Sequence, residues 1–163
     1  MTEVILTPLD EPALARLLDA AVAGADPLEV MPPVEDAPGW TARRRAAFLD
    51  FHRRRTLDPA TAVERTWVVD VDGRAVGAAR LERQGDAVAA GLWLRREDRG
   101  RGIGRQVAVL LLDLARSCGA TTFVAETTAD NRGALAVLAS VGTTLTADGD
   151  EVRAALPLDA HPR

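Results

Sequence analysis

Apolar residues recur at the spacing of an α-helix in four segments of the chain. The first segment begins after Asp10, a good N-capping residue, and stops at Gly24, while the second follows an N-capping Thr41. The third segment is the most strongly apolar, and the fourth closes at Gly142. The pattern predicts helices over residues 10–24, 41 to about 55, 105–118 and 130–141.

Shorter apolar runs bounded by turn residues predict seven strands. Asp72-Gly73 separates two of the runs and is typical of a tight hairpin turn, and Gly85 and Gly149 mark two further hairpins. The fourth and fifth strands flank the most apolar helix, so a right-handed crossover makes them parallel neighbours in one central βαβ unit. The predicted strands cover residues 4–7, 66–71, 75–81, 87–94, 122–127, 143–147 and 151–156, which gives an α/β fold of the α+β type with a mixed sheet.

Residues 25–40 are predicted to form a loop, because four prolines interrupt them. An ordered loop of this length is often a lid or a binding loop. Val30 and Met31 are apolar, which indicates that the loop folds onto the rest of the protein. The helix that follows carries six arginines, for which a solvated helix surface is preferred over a site for an anionic substrate. They are Arg43, Arg44, Arg45, Arg53, Arg54 and Arg55.

Composition limits the classes of protein that this chain fits. With 163 residues, 47% of them hydrophobic, it has the size of one domain, predicted over residues 1–156 with a loose tail at 157–163. A net charge of −4 argues against a general nucleic-acid binder. The sequence shows no cationic signal-peptide start and no apolar run of ~18 residues, so we expect a cytoplasmic protein without a membrane partner. Cys118 has no second thiol for a zinc site, so no metal is expected, and its helix face predicts a core position.

The segment Arg99-Gly100-Arg101-Gly102-Ile103-Gly104 has the composition of an anion cradle. Glycines let the backbone approach a ligand closely, and the helix that follows presents N–H groups and the positive end of its dipole. Two arginines add full charges. A glycine-rich connection with solvated arginines is the alternative interpretation, and the flanking segments have to decide between them.

Two common phosphate motifs fit this segment poorly. A Rossmann site would place an acid about 20 residues on, where Glu126 lies, but the glycines read G-x-G-x-G and five polar residues separate them from the strand. A P-loop requires Gly-Lys-Ser/Thr, and this chain contains no lysine.

The arrangement resembles the GNAT superfamily of acyl-CoA-dependent N-acyltransferases. Leu92–Gly104 is similar to that family's pyrophosphate motif, a strand followed by [Q/R]-x-x-G-x-[G/A], with Arg99, Gly102 and Gly104 in the defining places. Asn131, with Ala134 three residues on, is similar to the family's later N-x-x-A segment. The order and spacing of the predicted strands and helices agree with the family from the first strand to the last.

The resemblance implies a sheet that splays between strands 87–94 and 122–127 and admits the pantetheine arm of acetyl-CoA. The backbone N–H of Leu94 is then placed to polarise the thioester carbonyl, and the Asn131 side chain to bond the cosubstrate, although Asn131 also suits a helix cap. The cofactor-binding residues so implied are Leu92, Trp93, Leu94, Arg99, Gly100, Arg101, Gly102, Ile103, Gly104, Arg105 and Asn131.

An ammonium acceptor must lose a proton before it attacks, so a carboxylate is expected near the acetyl group. Glu126, at the end of its strand, is the first candidate for this general base, with a solvent-facing charge as its alternative; Asp130, Glu82 and His52 follow. Many family members protonate the departing thiolate with a tyrosine seven residues after the asparagine. That place is Leu138 here, and the chain has no tyrosine.

Three functions remain open on the sequence. They are acetylation of a primary amine of a small molecule, acetylation of a protein or peptide N-terminus, and binding of CoA without catalysis, which the missing tyrosine suggests. Arg44 and Arg45 could hold a carboxylate or phosphate of an anionic acceptor. The resemblance implies an acceptor pocket formed by Val30 to Phe51 and the final hairpin. Trp40 and Trp93 are expected to pack rather than to line this pocket. A homodimer is a further expectation.

Overall fold

Seven strands form one mixed sheet in the order β1-β2-β3-β4-β5-β7-β6. The structure is a computed structural model, and it describes residues 3–159. The first hairpin turns at Asp72 and Gly73, which have φ of 51° and 78° as a tight turn of primed type requires. The strands are β1 Val4–Pro8, β2 Glu64–Val71, β3 Arg74–Gln84, β4 Ala87–Leu94, β5 Thr122–Thr128, β6 Thr144–Asp148 and β7 Glu151–Pro157.

Five α-helices accompany the sheet in the described part of the chain. Two of them begin directly after their predicted capping residues, whereas the helix predicted from residue 105 begins at Ile103. Asp10 accepts the Ala13 N–H at 2.8 Å and Thr41 accepts the Arg44 N–H at 3.3 Å, so both cap their helices. The helices are α1 Glu11–Gly24, α2 Pro27–Val30, α3 Ala42–His52, α4 Ile103–Ser117 and α5 Arg132–Ser140. Among the described residues, none of the helices has the length and apolar character that crossing a membrane requires.

Strands β4 and β5 are parallel and are joined through α4, which confirms the predicted central βαβ unit. Their ladder runs from Ala87–Thr122 to Ala90–Ala125, and β4 continues to Leu94. On its other edge β5 pairs antiparallel with β7 along its whole length. The mixed sheet and its interrupted parallel ladder agree with the predicted fold class.

The described residues, 3–159, form two compact units. The first holds those up to Ala79 together with Leu92–Asp98. Its core is built from α1, the loop after it, α3 and the sheet, and the side chains of Leu14, Leu17, Phe48 and Val68 are fully buried in it. The second unit holds Arg80–Gly91 and the residues from Arg99 onward. In it α4 packs against α5 and buries Val107, Leu111 and Ala115.

Four predictions about local structure need correction. The loop after α1 contains the one-turn helix α2, because Glu29 accepts the N–H of Asp26 and closes its start. The second predicted helix was expected to reach about Arg55, but the α-helix α3 ends at His52. The chain continues from there as a π-helical turn over Arg53–Leu57. Cys118 is exposed rather than in the core, since it lies at the very end of α4.

The fourth correction concerns the predicted tail. Strand β7 extends to Pro157, and the buried Leu158 donates its N–H to the Thr121 carbonyl at 2.8 Å. The folded part of the chain therefore continues through Leu158. Residues 160–163 of the tail lie outside the described residues.

An ion pair between Arg16 on α1 and Asp70 on β2 connects the first helix to the sheet. The two guanidinium nitrogens lie 2.7 and 3.1 Å from the carboxylate oxygens, and the Thr7 hydroxyl donates to the same carboxylate at 2.6 Å. Hydrogen bonds from Arg16 lower the pKa of Asp70 below its ordinary 3.8, against the opposing effect of burial. The stabilisation is therefore present above pH 3.8 and is lost as the pH falls through the lower folded-state pKa.

Asp70→Asn should lower the free energy of unfolding at neutral pH by about 1–3 kcal/mol, the usual worth of a hydrogen bond to a charged group. Urea denaturation at several pH values measures it. The difference from wild type should hold from neutral pH down to about pH 5 and shrink below about pH 4. Glu11→Gln, which removes a wholly exposed pair with Arg53, serves as the control and should show no comparable change. A pH-independent difference between Asp70→Asn and wild type would contradict the assignment of this stabilisation to the ionised Asp70 carboxylate.

Candidate functional site

The start of α4 leaves its backbone donors available to a ligand. The N-cap residue is Gly102, with φ of 81° and ψ of 0°, and it has no side chain that could accept an N–H from the first turn. An α-helix provides no internal acceptor for its first four N–H groups. The N–H groups of Ile103, Gly104 and Arg105 therefore form a cluster of donors at the positive end of a 15-residue helix.

The glycines that precede these donors are unobstructed, and their surroundings are positive. A Cβ added at Gly100 or Gly102 would meet no heavy atom within 4 Å, and both residues have positive φ. The side chains of Arg99, Arg101 and Arg105 are exposed around the same turn. Backbone donors, a helix dipole and three cations fit a pyrophosphate.

The turn between β4 and this cradle is fixed by its own contacts. Arg95 donates its backbone N–H to the Val76 carbonyl at 2.8 Å, and its Nε bonds the buried Asp98 carboxylate at 2.7 Å. The Arg95 side chain lies against Gly24, where an added Cβ would come within 2.6 Å of the Arg95 Cβ. The five polar residues that set this segment apart from a Rossmann turn thus form an ordered connection.

Gly77 on β3 permits a close approach of the β4 backbone. A Cβ at residue 77 would lie 2.0 Å from the Trp93 carbonyl oxygen and 3.0 Å from the Leu94 Cα. Leu94 is buried, whereas Leu92 is 38% exposed. The constraint at Gly77 was not predicted, because a glycine inside a strand pattern is the only signal that it leaves in the sequence.

Glu126 lies within β5, two residues before its end and not at the end as predicted, and Asn131 lies just beyond the strand. Glu126 is exposed, one residue past the last β4–β5 pair, and faces Arg153 across the β5–β7 ladder. Asn131 caps α5, since its Oδ1 accepts the Ala134 N–H at 3.1 Å. The alternative interpretation of Asn131 as a cap is therefore confirmed, and its amide nitrogen is the atom that can still donate to a ligand.

The other candidate bases differ in accessibility. His52 is 3% exposed and packs edge-on against the rings of Phe48 and Phe51, at centroid distances of 4.7 and 5.2 Å. Asp130 is exposed and accepts the Thr128 hydroxyl at 2.5 Å. Glu82 is half-buried on β3. Exposure favours the two carboxylates near β5, Glu126 and Asp130, over His52.

Trp40 and Trp93 pack against the first unit's core, as predicted. Leu138, at the place of the family's tyrosine, is buried on α5 and has no ionisable group that could donate a proton.

The prediction that Arg44 and Arg45 together hold the anionic group of an acceptor is wrong. Every guanidinium N–H of Arg44 donates to a backbone carbonyl of the loop before α3, and Arg45 donates its Nε to the Trp40 carbonyl at 3.1 Å.

Comparison with known proteins identifies the fold. The family model described as the acetyltransferase (GNAT) family matches residues 31–142. No curated protein sequence matches the chain.

Solved structures match over nearly the whole chain. RimJ of Mycobacterium smegmatis, in complex with CoA-disulfide, has a TM-score of 0.76 at 20% identity, covering 94% of this chain and 81% of that chain. The putative acetyltransferase yncA of Salmonella typhimurium, with its cofactor acetyl-CoA, has a TM-score of 0.66 at 21% identity, covering 99% and 96%. The spermidine/spermine N-acetyltransferase SpeG of Vibrio cholerae has a TM-score of 0.71 at 14% identity, covering 95% and 94%. At these identities the likeness shows the fold.

Gly77→Ala should lower the free energy of unfolding by about 1–3 kcal/mol, because the new Cβ forces the β4 backbone away. Thermal and urea denaturation measure this change. Gly133→Ala is the matched control: Gly133 lies on α5, and its added Cβ would meet only the Asn131 Oδ1, at 3.9 Å. The control should leave the stability unchanged or raise it, since alanine favours a helix. Equal effects of the two substitutions would show that the close approach at Gly77 imposes no constraint.

Proposed function

The chain belongs to the acetyltransferase (GNAT) family, and we propose that it transfers the acetyl group of acetyl-CoA to a primary amine of a small molecule, by direct attack in a ternary complex. The observation that carries the proposal is the uncapped start of α4, with Gly102 at positive φ and open space before it. That arrangement suits the pyrophosphate of CoA. Relatives of this fold are recorded with acetyl-CoA and with CoA-disulfide, which supports the same choice of ligand.

In this proposal the pyrophosphate accepts from the N–H groups of residues 102–105, and Arg99, Arg101 and Arg105 supply positive charge around it. Gly100 and Gly102 leave room for its approach. The pantetheine amides pair with the backbone of Leu92 and Leu94 as an added strand would, next to Trp93. The Asn131 amide nitrogen adds a further donor.

Acetyl-CoA, when bound, supplies the acetyl group as a thioester. The Leu94 backbone N–H is assigned to the carbonyl oxygen, where negative charge develops during attack. Glu126 is assigned to take a proton from the ammonium acceptor, directly or through a water, because it is an exposed carboxylate on β5 just past the last residue paired with β4. Asp130 is the second choice for this base.

The departing thiolate receives no proton from a side chain of α5, because Leu138 occupies the position of the family's tyrosine. A thiol has a pKa near 8.5 by analogy with cysteine, so its protonation is a small demand at neutral pH. We therefore assign that proton to water.

The proposal is tested by mixing the protein and acetyl-CoA with small amines, aminoglycosides and peptides and following thiol release. The exposed Cys118 reacts with thiol reagents itself, so Cys118→Ser protein removes the background. Turnover of a small primary amine supports the proposal. Turnover of peptides alone would replace it by N-terminal acetylation, and binding of acetyl-CoA without turnover of any amine would leave a non-catalytic CoA-binding protein.

Gly104→Asp should abolish acetyl-CoA binding measured by calorimetry. Residue 104 is the second residue of α4, where a carboxylate favours the helix but repels a pyrophosphate. The variant should therefore fold as well as wild type and still fail to bind. Gly104→Ala distinguishes the effect of side-chain size from that of charge, and it should weaken acetyl-CoA binding less than Gly104→Asp does. Gly85→Asp, in the turn between β3 and β4, is the control: at φ of 62° it costs some stability, but the folded protein should bind normally. Unchanged binding by folded Gly104→Asp protein would refute the cradle.

Glu126→Gln should lower kcat/KM by about 100-fold, the usual contribution of a general base, while the Kd for acetyl-CoA stays unchanged. In the wild type, kcat/KM should rise with pH to a plateau without an alkaline fall. Stopped-flow or steady-state kinetics, corrected for ionisation of the acceptor, measure the effect of the substitution and the pH profile. Thr121→Val, at the residue directly before β5, is a control that should not reduce the rate. A persistent alkaline limb would reveal a missed general acid, and an unimpaired Glu126→Gln enzyme would move the base to Asp130.

A further inference from the structure

The loop between α2 and α3 has backbone carbonyls that regular structure does not satisfy. Residues 34–40 form neither helix nor strand, and Pro38 has no N–H to offer. Backbone carbonyls require donors wherever water is displaced from them. Six of the seven carbonyls from Val34 to Trp40 accept hydrogen bonds from the side chains of Arg43, Arg44 and Arg45, three successive residues at the start of α3.

Arg44 makes most of these bonds. Its Nε lies 3.2 Å from the Val34 oxygen, its Nη2 lies 2.9 Å from the same oxygen and 3.0 Å from that of Asp36, and its Nη1 lies 2.8 Å from the Gly39 oxygen. The remaining Nη1 donor bonds the Ala37 carbonyl. All five guanidinium donors are therefore used on four carbonyls, which leaves none for a substrate anion.

The position of these arginines is unfavourable for the helix itself. Cations near a helix N-terminus oppose its dipole, and α3 carries three of them in its first turn. Their contribution therefore lies in the loop that they bind. Neither Arg43, with a single 3.4 Å bond to the Glu35 carbonyl, nor Arg45, with one bond to Trp40, matches Arg44.

Both ends of the loop are attached to the first unit's core. Val30 and Met31 are buried at its start. At its end Trp40 donates its Nε1–H to the Ala25 carbonyl at 2.8 Å and meets Phe48 edge-on at 5.8 Å. Residues 35–39 between these anchors are exposed. Two local bonds, from the Ala37 N–H to the Asp36 carboxylate and from the Thr41 N–H to the Gly39 carbonyl, also lie in this exposed tip, but most of the bonds to its carbonyls come from the arginine side chains.

We propose that Arg44 is a positioning residue for the acceptor amine: by binding the carbonyls of residues 34–39 it holds the loop in the conformation that receives the acceptor. The inference rests on the proposed acetyltransferase function and on the expectation, drawn from the family resemblance, that residues 30–51 help to form the acceptor pocket. Arg44 acts through the loop backbone and does not touch the substrate.

The proposal determines which kinetic constant changes. When the binding-competent conformation is only partly populated, the apparent affinity falls by that fraction, and a saturating ligand restores the competent state. Loss of Arg44 should therefore raise the KM for the acceptor amine and leave kcat and the Kd for acetyl-CoA nearly unchanged. A residue needed only for folding would lower all activity together.

Arg44→Lys and Arg44→Ala are compared with wild type, using whichever amine the acceptor screen identifies. Lysine keeps the charge but replaces the five-donor fork by a single ammonium. Both variants should raise the KM for the amine by about tenfold or more, with kcat within about twofold. Arg54→Lys is the matched control, because Arg54 forms only an exposed pair with Asp50 on the same helical segment. It should behave as wild type.

Glutamyl endopeptidase reports on the loop independently of activity, since Glu35 lies in its exposed tip and no variant alters that residue. Both Arg44 variants should be cut there about tenfold faster than wild type. Wild-type KM in a folded Arg44→Lys protein, or unchanged cleavage in both variants, would overturn the proposal. A fall in kcat equal to the rise in KM would also overturn it. Wild-type protein that binds acetyl-CoA but acetylates no amine would instead refute the proposed function, and the positioning role with it.

Discussion

Backbone hydrogen-bonding groups without a partner are the constraint on which the account of this protein depends. The first turn of α4 has N–H groups that no residue of the helix can accept, and its N-cap is a glycine without a side chain. In most helices a serine, threonine, asparagine or aspartate would satisfy one of them, as Asp10 and Thr41 do here for α1 and α3. The chain caps those two helices and leaves α4 open, at the place where three arginines are exposed.

The loop before α3 has the same need for hydrogen-bond partners, but for its acceptors instead of its donors. There the excess consists of carbonyls, because a proline-rich segment outside regular structure supplies few donors. Arginine side chains from α3 meet that need, with Arg44 contributing all five of its N–H groups. In the proposed function the surplus of donors binds an anionic cosubstrate, whereas the surplus of acceptors is satisfied by side chains of the protein itself. This difference is why only the first of the two regions is open to a phosphate.

Local signals in the sequence predicted the fold well. The Asp72-Gly73 turn, the capping residues and the apolar periodicity located all seven strands and four of the five helices, because each signal acts over a few residues. Helix α2 was missed since Pro27 was interpreted as a helix breaker, although proline at the first position of a helix is favourable and Glu29 closes the turn. Cys118 was placed in the core because its spacing continues the apolar face of α4, but the helix ends there and the side chain faces outward.

Long-range contacts could not be predicted in this way. The glycine-rich motif indicated the cradle, since the backbone conformation of Gly100 and Gly102 is itself a local property. By contrast, Gly77 is needed only because the backbone of Trp93 passes it, and the role of Arg44 depends on the path of a loop ten residues away. The arginines of α3 were interpreted as a solvated surface or an anion site, because a side chain that binds its own backbone leaves no periodic pattern.

The most direct test of the central claim observes the backbone donors themselves. Amide ¹H–¹⁵N spectra of the protein, recorded during titration with acetyl-CoA, report on the N–H groups of residues 102–105 one by one. If these groups bind the pyrophosphate, their resonances should move most, with the proton shifts expected of new hydrogen bonds to an anion, and pantetheine without the pyrophosphate should leave them in place. Saturable binding of acetyl-CoA with those four resonances unmoved would contradict the account.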